Sequence, residues 1–196
     1  MCMRKGRIFA FILVVGVISC GICNNVKAEG DWAITGYWAR LTDGDLDNSA
    51  TFNVGFEDSN LLAMALSRRF YSFRDILDFE VEGQIVKLFQ DQNHWEFNGL
   101  GISRWLLFPW DNYIDTSIAA GIGLSYATET PDIEDKNHDK TSQLLTYLLF
   151  EVAFSLPKIP QWSVVGRIHH RSGAFGLFNG VRGASNALGV GIRYSF

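Results

Sequence analysis

After residue 28 the chain has no run of about 20 apolar residues, the length a helix needs to cross a bilayer, yet apolar side chains keep returning at every second position. From 78 to 89, Phe79, Val81, Ile85 and Phe89 alternate with Asp78, Glu80, Glu82 and Gln84. From 114 to 125, Ile114, Ile118, Ile122 and Leu124 alternate with Asp115, Ser117, Gly121, Gly123 and Ser125. From 144 to 154, Leu144, Leu148, Phe150, Val152 and Phe154 alternate with Tyr147 and Glu151. A period of two belongs to the β-strand, whose successive side chains point to opposite faces. A soluble sandwich alternates in this way, and so does a membrane barrel, which turns every second residue toward lipid. Which face is closed off separates the two.

Loop lengths and aromatic residues decide that question. The alternation predicts eight strands, at about 32–41, 61–70, 76–89, 94–108, 113–126, 143–155, 162–172 and 186–196. Three connections, 42–60, 127–142 and 173–185, are long and polar or Gly-rich, whereas 71–75, 109–112 and 156–161 are short; only 90–93 is short on the side of the long ones. Long external loops and short periplasmic turns mark a bacterial barrel with both termini inside. Trp32, Phe70, Tyr71, Phe108, Trp110, Phe154, Trp162 and Phe196 all fall at the periplasmic strand ends, where they form an interfacial girdle. The last strand sends Leu188, Val190, Ile192, Tyr194 and Phe196 outward, with Gly189, Gly191, Arg193 and Ser195 inward. The expected fold class is therefore all-β: an eight-stranded antiparallel transmembrane barrel of the outer-membrane type. Eight strands leave room in the lumen for side chains and little else, which disfavours a wide pore. Glu80, Glu82 and Glu151 are expected to pair there with Arg69, Arg167 and Arg193.

The N-terminus reads as an export signal. Arg4, Lys5 and Arg7 precede the apolar stretch 8–17, and Val26-Lys27-Ala28 offers a small-x-small cleavage site. This divides the chain into a signal peptide, 1–28, and a barrel domain, 29–196. A second reading makes Val17-Ile18-Ser19-Cys20 a lipobox with Cys20 as the lipidated residue. Cleavage after Ala28 removes all three cysteines, Cys2, Cys20 and Cys23, and with them disulfides and cysteine-metal sites. It also removes four basic residues and no acidic ones, leaving 13 against 21, a formal charge of −8. Nucleic acid is an unsuitable partner for such a chain.

The seventh predicted strand carries the residues most suited to chemistry. It reads Trp162-Ser163-Val164-Val165-Gly166-Arg167-Ile168-His169-His170-Arg171-Ser172. Strict period two turns His170 and Ser172 outward and leaves Arg167, His169 and Arg171 inward. Polar groups facing a membrane are costly, and an imidazole one pleat from a hydroxyl is the pairing that a nucleophilic serine requires. The plainer reading ends the membrane at Ile168 and leaves both side chains in headgroup water. His169 is expected to face the lumen beside Glu or Tyr, and His94 to sit at a loop end. The acidic stretch 129–139 and the trio Asp43, Asp45 and Asp47 lack the ordered spacing of a calcium loop, so they read as solvated charge.

The stretch His170-Arg171-Ser172-Gly173-Ala174-Phe175-Gly176, in the penultimate strand of a small exported barrel, resembles the His-x-Ser motif of the PagL family, the outer-membrane lipid A 3-O-deacylases. The resemblance implies that Ser172 is the nucleophile of a serine esterase and His170 its general base. The family's third member, an acidic residue about ten positions before the C-terminus, falls here on Asn186, and the family's Asn after the serine is here Gly173. Both are departures. An Asn carbonyl can orient an imidazole but cannot stabilise the imidazolium as a carboxylate does. The implied reaction is acyl transfer without metal or cofactor: His170 takes the Ser172 proton as the hydroxyl attacks an ester carbonyl, and backbone N–H groups at Gly173 and Ala174 hold the oxyanion. The implied partners are lipid A or lipopolysaccharide, membrane lipid, and the barrel-assembly machinery during insertion. The rival reading is a non-catalytic barrel that braces the membrane or displays loops for adhesion.

The predicted topology puts the long loops outside. Proteases applied to intact cells are expected to cut within 42–60 or 127–142 and to spare 109–112 and 156–161, as mapped by mass spectrometry of the fragments.

Overall fold

The computed structural model of the chain describes residues 30–43, 46–51, 53–129, 142–174 and 184–196, so the 1–28 signal reading lies outside the described residues. The elements are β1 (Trp32–Thr42), α1 (Leu46–Ala50), β2 (Phe56–Phe73), β3 (Leu77–Gln90), β4 (Trp95–Trp105), β5 (Asp115–Ala127), β6 (Leu144–Ser155), β7 (Trp162–Ser172) and β8 (Ala184–Ser195). Each strand pairs antiparallel with the next, and β1 pairs with β8, which closes an eight-stranded barrel. All eight strands fall where the alternation places them. β2 starts earlier than expected, because Phe56–Asn60 is polar, carries no apolar alternation, and continues the ladder above the apolar band. Gln90 pairs there with Ser59.

Side-chain period and exposure agree along the walls. In β3, Asp78, Glu80, Glu82 and Gln84 are buried in the lumen, while Val81 and Ile85 stand about half exposed on the outer face. An outward apolar band and an enclosed polar interior are the inverse of a soluble core, and lipid is the solvent that suits them. Most of the expected periplasmic girdle, Trp32, Phe70, Tyr71, Trp110, Phe154, Trp162 and Phe196, is exposed. Two glycines serve the β1–β8 seam. A Cβ on Gly191 would lie 2.5 Å from the Tyr37 Cβ, and one on Gly189 would lie 2.7 Å from the Ala39 Cβ, so glycine lets β1 bring its inward side chains against β8.

The lumen is filled in two layers. The layer nearer the end that carries the chain termini is an ion network. Arg104 donates to Glu80 at 2.8 Å and to Glu151 at 2.7 Å; Arg167 bonds both oxygens of Glu82, at 2.9 and 3.1 Å, and also Glu151; Arg193 donates to Glu80. The expected participant Arg69 is not part of it. Arg69 lies at the end that carries the chain termini, where it pairs with Asp31 and Asp78, and Arg104 of β4 takes its place. The cause is register: Arg104 is two strands nearer to Glu151 through the pairs Arg104↔Ala119 and Ala119↔Glu151. The outer layer is built on Glu96, which bonds His94 and His169, with Arg171 at 3.8 Å, and Tyr37 and Tyr147 bracket the His169 Nδ1 at 3.0 and 3.2 Å. His169 thus meets the Glu and Tyr partners expected of it. His94 precedes β4, as a loop-end residue should, but its side chain is enclosed rather than solvated.

Removing one member of a buried charge network leaves its partners uncompensated. Arg167→Ala is therefore expected to destabilise the folded barrel by about 3–5 kcal/mol, whereas Arg74→Ala in the exposed β2–β3 turn should stay within about 0.5 kcal/mol of wild type. Urea titration of the barrel in lipid vesicles, followed by heat-modifiable gel migration, measures both.

Candidate functional site on the outer wall

β7 places the site. Val165, Arg167, His169 and Arg171 point into the lumen and are buried, while Trp162 and Val164 point outward. By the same parity His170 belongs to the outer face, where Val164 is 62 % exposed, yet His170 is only 6 % exposed. The alternation breaks in the same way on the two following strands, at Asn186 of β8 and Thr42 of β1, both buried. These three are neighbours in one row across the barrel wall: His170↔Asn186 and Asn186↔Thr42. The element packed there is α1, which lies against β7 and β8. Its Ser49 is fully buried with its hydroxyl 3.1 Å from that of Thr42, and the Thr42 hydroxyl donates to the Asn186 backbone carbonyl at 3.4 Å.

Within that covered row the His170 Nδ1 lies 2.6 Å from the Asn186 Oδ1. An amide oxygen only accepts, so Nδ1 holds the proton and donates, and Nε2 is left as the nitrogen with a lone pair. The structure thus brings together two of the residues singled out in the sequence. The third, Ser172, is half-buried on the same face one pleat further out, about 7 Å along the strand, paired with Thr146 of β6 and Ala184 of β8. Among the described residues no hydrogen bond joins Ser172 to His170. Gly173 is buried, and Ala174 takes the left-handed conformation with φ 46°.

The charged neighbours of the row face elsewhere. Arg171 turns into the lumen, where it donates to the Ser125 hydroxyl and the Gln143 carbonyl. Of the acidic candidates, Asp43 accepts a 2.8 Å bond from the Gly55 amide and closes the base of the first long connection. Asp45, the Asp47 side chain and most of the 129–139 stretch lie outside the described residues. Among the described residues no group of three or more His, Cys, Asp or Glu side chains is arranged to hold a metal ion. The sequence reading missed α1, Thr42 and Ser49. A five-residue helix shows no usable periodicity, and the Thr42–Asn186 pairing depends on how the first strand registers against the last.

No protein-family model and no curated protein matches the chain. Among solved structures it is similar to the outer membrane enzyme PagL, with a TM-score of 0.57 and 11 % identity over 84 % of this chain and 99 % of that one. It is also similar to Neisserial surface protein A, with a TM-score of 0.53 and 14 % identity over 85 % of this chain and 97 % of that one. At such identities the likeness is one of fold. The chain is an eight-stranded β-barrel of the outer-membrane type, a class whose members include an enzyme and a surface protein.

The His170–Asn186 geometry fixes a tautomer. In nitrogen-15 spectra of the histidine-labelled barrel, the His170 ring is expected to be protonated at Nδ1 and bare at Nε2. Asn186→Leu should abolish that preference while leaving the His169 signals, which belong to the lumen, in place.

Proposed function

We propose that this outer-membrane barrel is a serine esterase of the lipid A deacylase kind, with Ser172 as nucleophile, His170 as general base and Asn186 as the residue that orients the imidazole. The observation that carries the reading is the hydrogen bond from His170 Nδ1 to Asn186 Oδ1, which leaves Nε2 to receive a proton on the face that also presents Ser172. In the proposed reaction Nε2 takes the Ser172 proton as Oγ attacks the ester carbonyl. The backbone N–H groups of Gly173 and Ala174 receive the developing oxyanion, the fatty-acyl serine forms as the glycolipid alcohol leaves with the proton, and water then releases the fatty acid. The substrate is a fatty-acyl ester of lipopolysaccharide in the outer leaflet, reached sideways from the membrane, which accounts for a site on the outer wall of a filled barrel. Export through the 1–28 signal and insertion by the barrel-assembly machinery belong to the same proposal.

A second reading keeps the barrel and removes the chemistry: a structural or adhesive protein that displays its loops. The observation in its favour is that Ser172 makes no hydrogen bond with His170.

Nucleophile and base act as a unit, so Ser172→Ala and His170→Ala should each lower deacylation by about 10³-fold or more, and the double substitution should add little. Asn186→Ala should cost less than either. Asn186→Glu should raise the rate, because a carboxylate stabilises the imidazolium formed during attack. Mass spectrometry of lipid A incubated with the purified barrel reads all five. Intact processing by Ser172→Ala overturns the nucleophile, and no fatty acid released by wild type returns the chain to the second reading.

A further inference from the structure

We propose that α1 is a movable cover over the outer-wall site, and that the structure shows it closed. The physical part of this inference rests on burial alone; its meaning as control of substrate entry rests on the esterase reading above. Along the outer face of β7 and β8, exposure falls step by step toward the end against which α1 packs, through the half-buried Ile168 and Leu188. Val164 and Val190 are each 62 % exposed, whereas His170 and Asn186, at the extracellular end of the same face, are buried, as is Gly173 just beyond. An ester carbonyl approaching Ser172 must bring its oxygen toward the Gly173 and Ala174 amides and its reacting carbon within reach of the His170–Ser172 pair. α1 lies against the two strands that carry the base and its orienting amide, and both side chains are buried there.

The cover is also short. Helices shorter than about 12–15 residues do not persist unaided in water, so α1, at five residues, keeps its place only through what it touches. Ser49 meets the barrel through a neutral contact with Thr42. A neutral hydroxyl pair is among the weaker protein hydrogen bonds, far from the charge-assisted bonds that lock the lumen. A rigid wall with a short element laid on it is a two-state arrangement in which the cover can lift while the barrel stays folded.

A lock tests this. Thr42→Cys with Ser49→Cys places two thiols where the hydroxyls now meet, in a chain whose own Cys2, Cys20 and Cys23 are replaced by serine, so that oxidation ties α1 down and dithiothreitol frees it. The first readout needs no enzyme activity: the rate at which diethylpyrocarbonate modifies His170 in the detergent-solubilised barrel, measured by peptide mass spectrometry with lumenal His169 as the internal control. Modification of His170 should be about tenfold slower in the oxidised than in the reduced form, because it then requires an opening that the bond forbids. His169 should be unchanged. Equal His170 rates in the two forms overturn the cover. Where the disulfide does not form, Gly-Ser replacement of Leu46–Ala50 carries the test, with faster His170 modification expected and an unchanged rate overturning the proposal. Lipid A deacylation by the same samples separates the two ideas. A lock that controls His170 in a barrel without esterase activity keeps the cover and removes the enzyme. An active barrel indifferent to the lock keeps the enzyme and removes the cover.

Discussion

Hydrocarbon offers no partner to a backbone N–H or C=O, and the pairing of β1 with β8 meets that constraint for the whole chain. Without it the two terminal strands would each present an unpaired edge to lipid, at several kcal/mol per exposed group. With it, each strand's alternation is locked, because a one-residue slip anywhere would exchange the lumenal and lipid faces. Closure therefore determines at once that Glu80, Glu82, Glu96 and Glu151 are enclosed and that Ile85, Ile122, Val164 and Val190 face acyl chains.

Enclosing carboxylates requires partners, and the lumen shows how eight strands supply them. Glutamates from β3 and β6 meet arginines from β4, β7 and β8, so Glu80 and Glu151 each answer to two guanidiniums and Glu82 takes both ends of one. Toward the outside, tyrosine and histidine take over around Glu96. Packed this way, the lumen takes the place of the core that a soluble protein would build from apolar side chains. His169 and His170 express the division within one dipeptide: the first is a lumenal strut, the second an outer-wall group.

Much of this was legible because period two is a strong signal when one face is lipid. The strands, the inward orientation of Arg167 and His169, and the outward orientation of His170 follow from counting along single segments. What could not be counted is register. That Arg104 rather than Arg69 serves Glu80 and Glu151, and that Thr42 lies beside Asn186, depend on how far neighbouring strands are staggered, a property of pairs and of closure. The His170–Asn186 contact was anticipated only through the resemblance of the C-terminal segment to a known motif. α1 was invisible for a different reason, since a five-residue helix in a polar connection has neither length nor pattern.

The departure of Asn186 from an acidic residue and the presence of α1 over it are physically compatible. A carboxylate beside an imidazolium is a charged pair, and enclosing it removes hydration that their mutual attraction only partly returns. An amide beside a neutral imidazole carries no net charge, and its oxygen pairs with the buried imidazole N–H. The same choice limits what the pair can do once an imidazolium forms, because no anion stands behind it. On the proposed esterase reading, a site built on His170 and Asn186 is therefore suited to being closed at rest, and its rate would come from positioning and from the proposed oxyanion donors more than from charge.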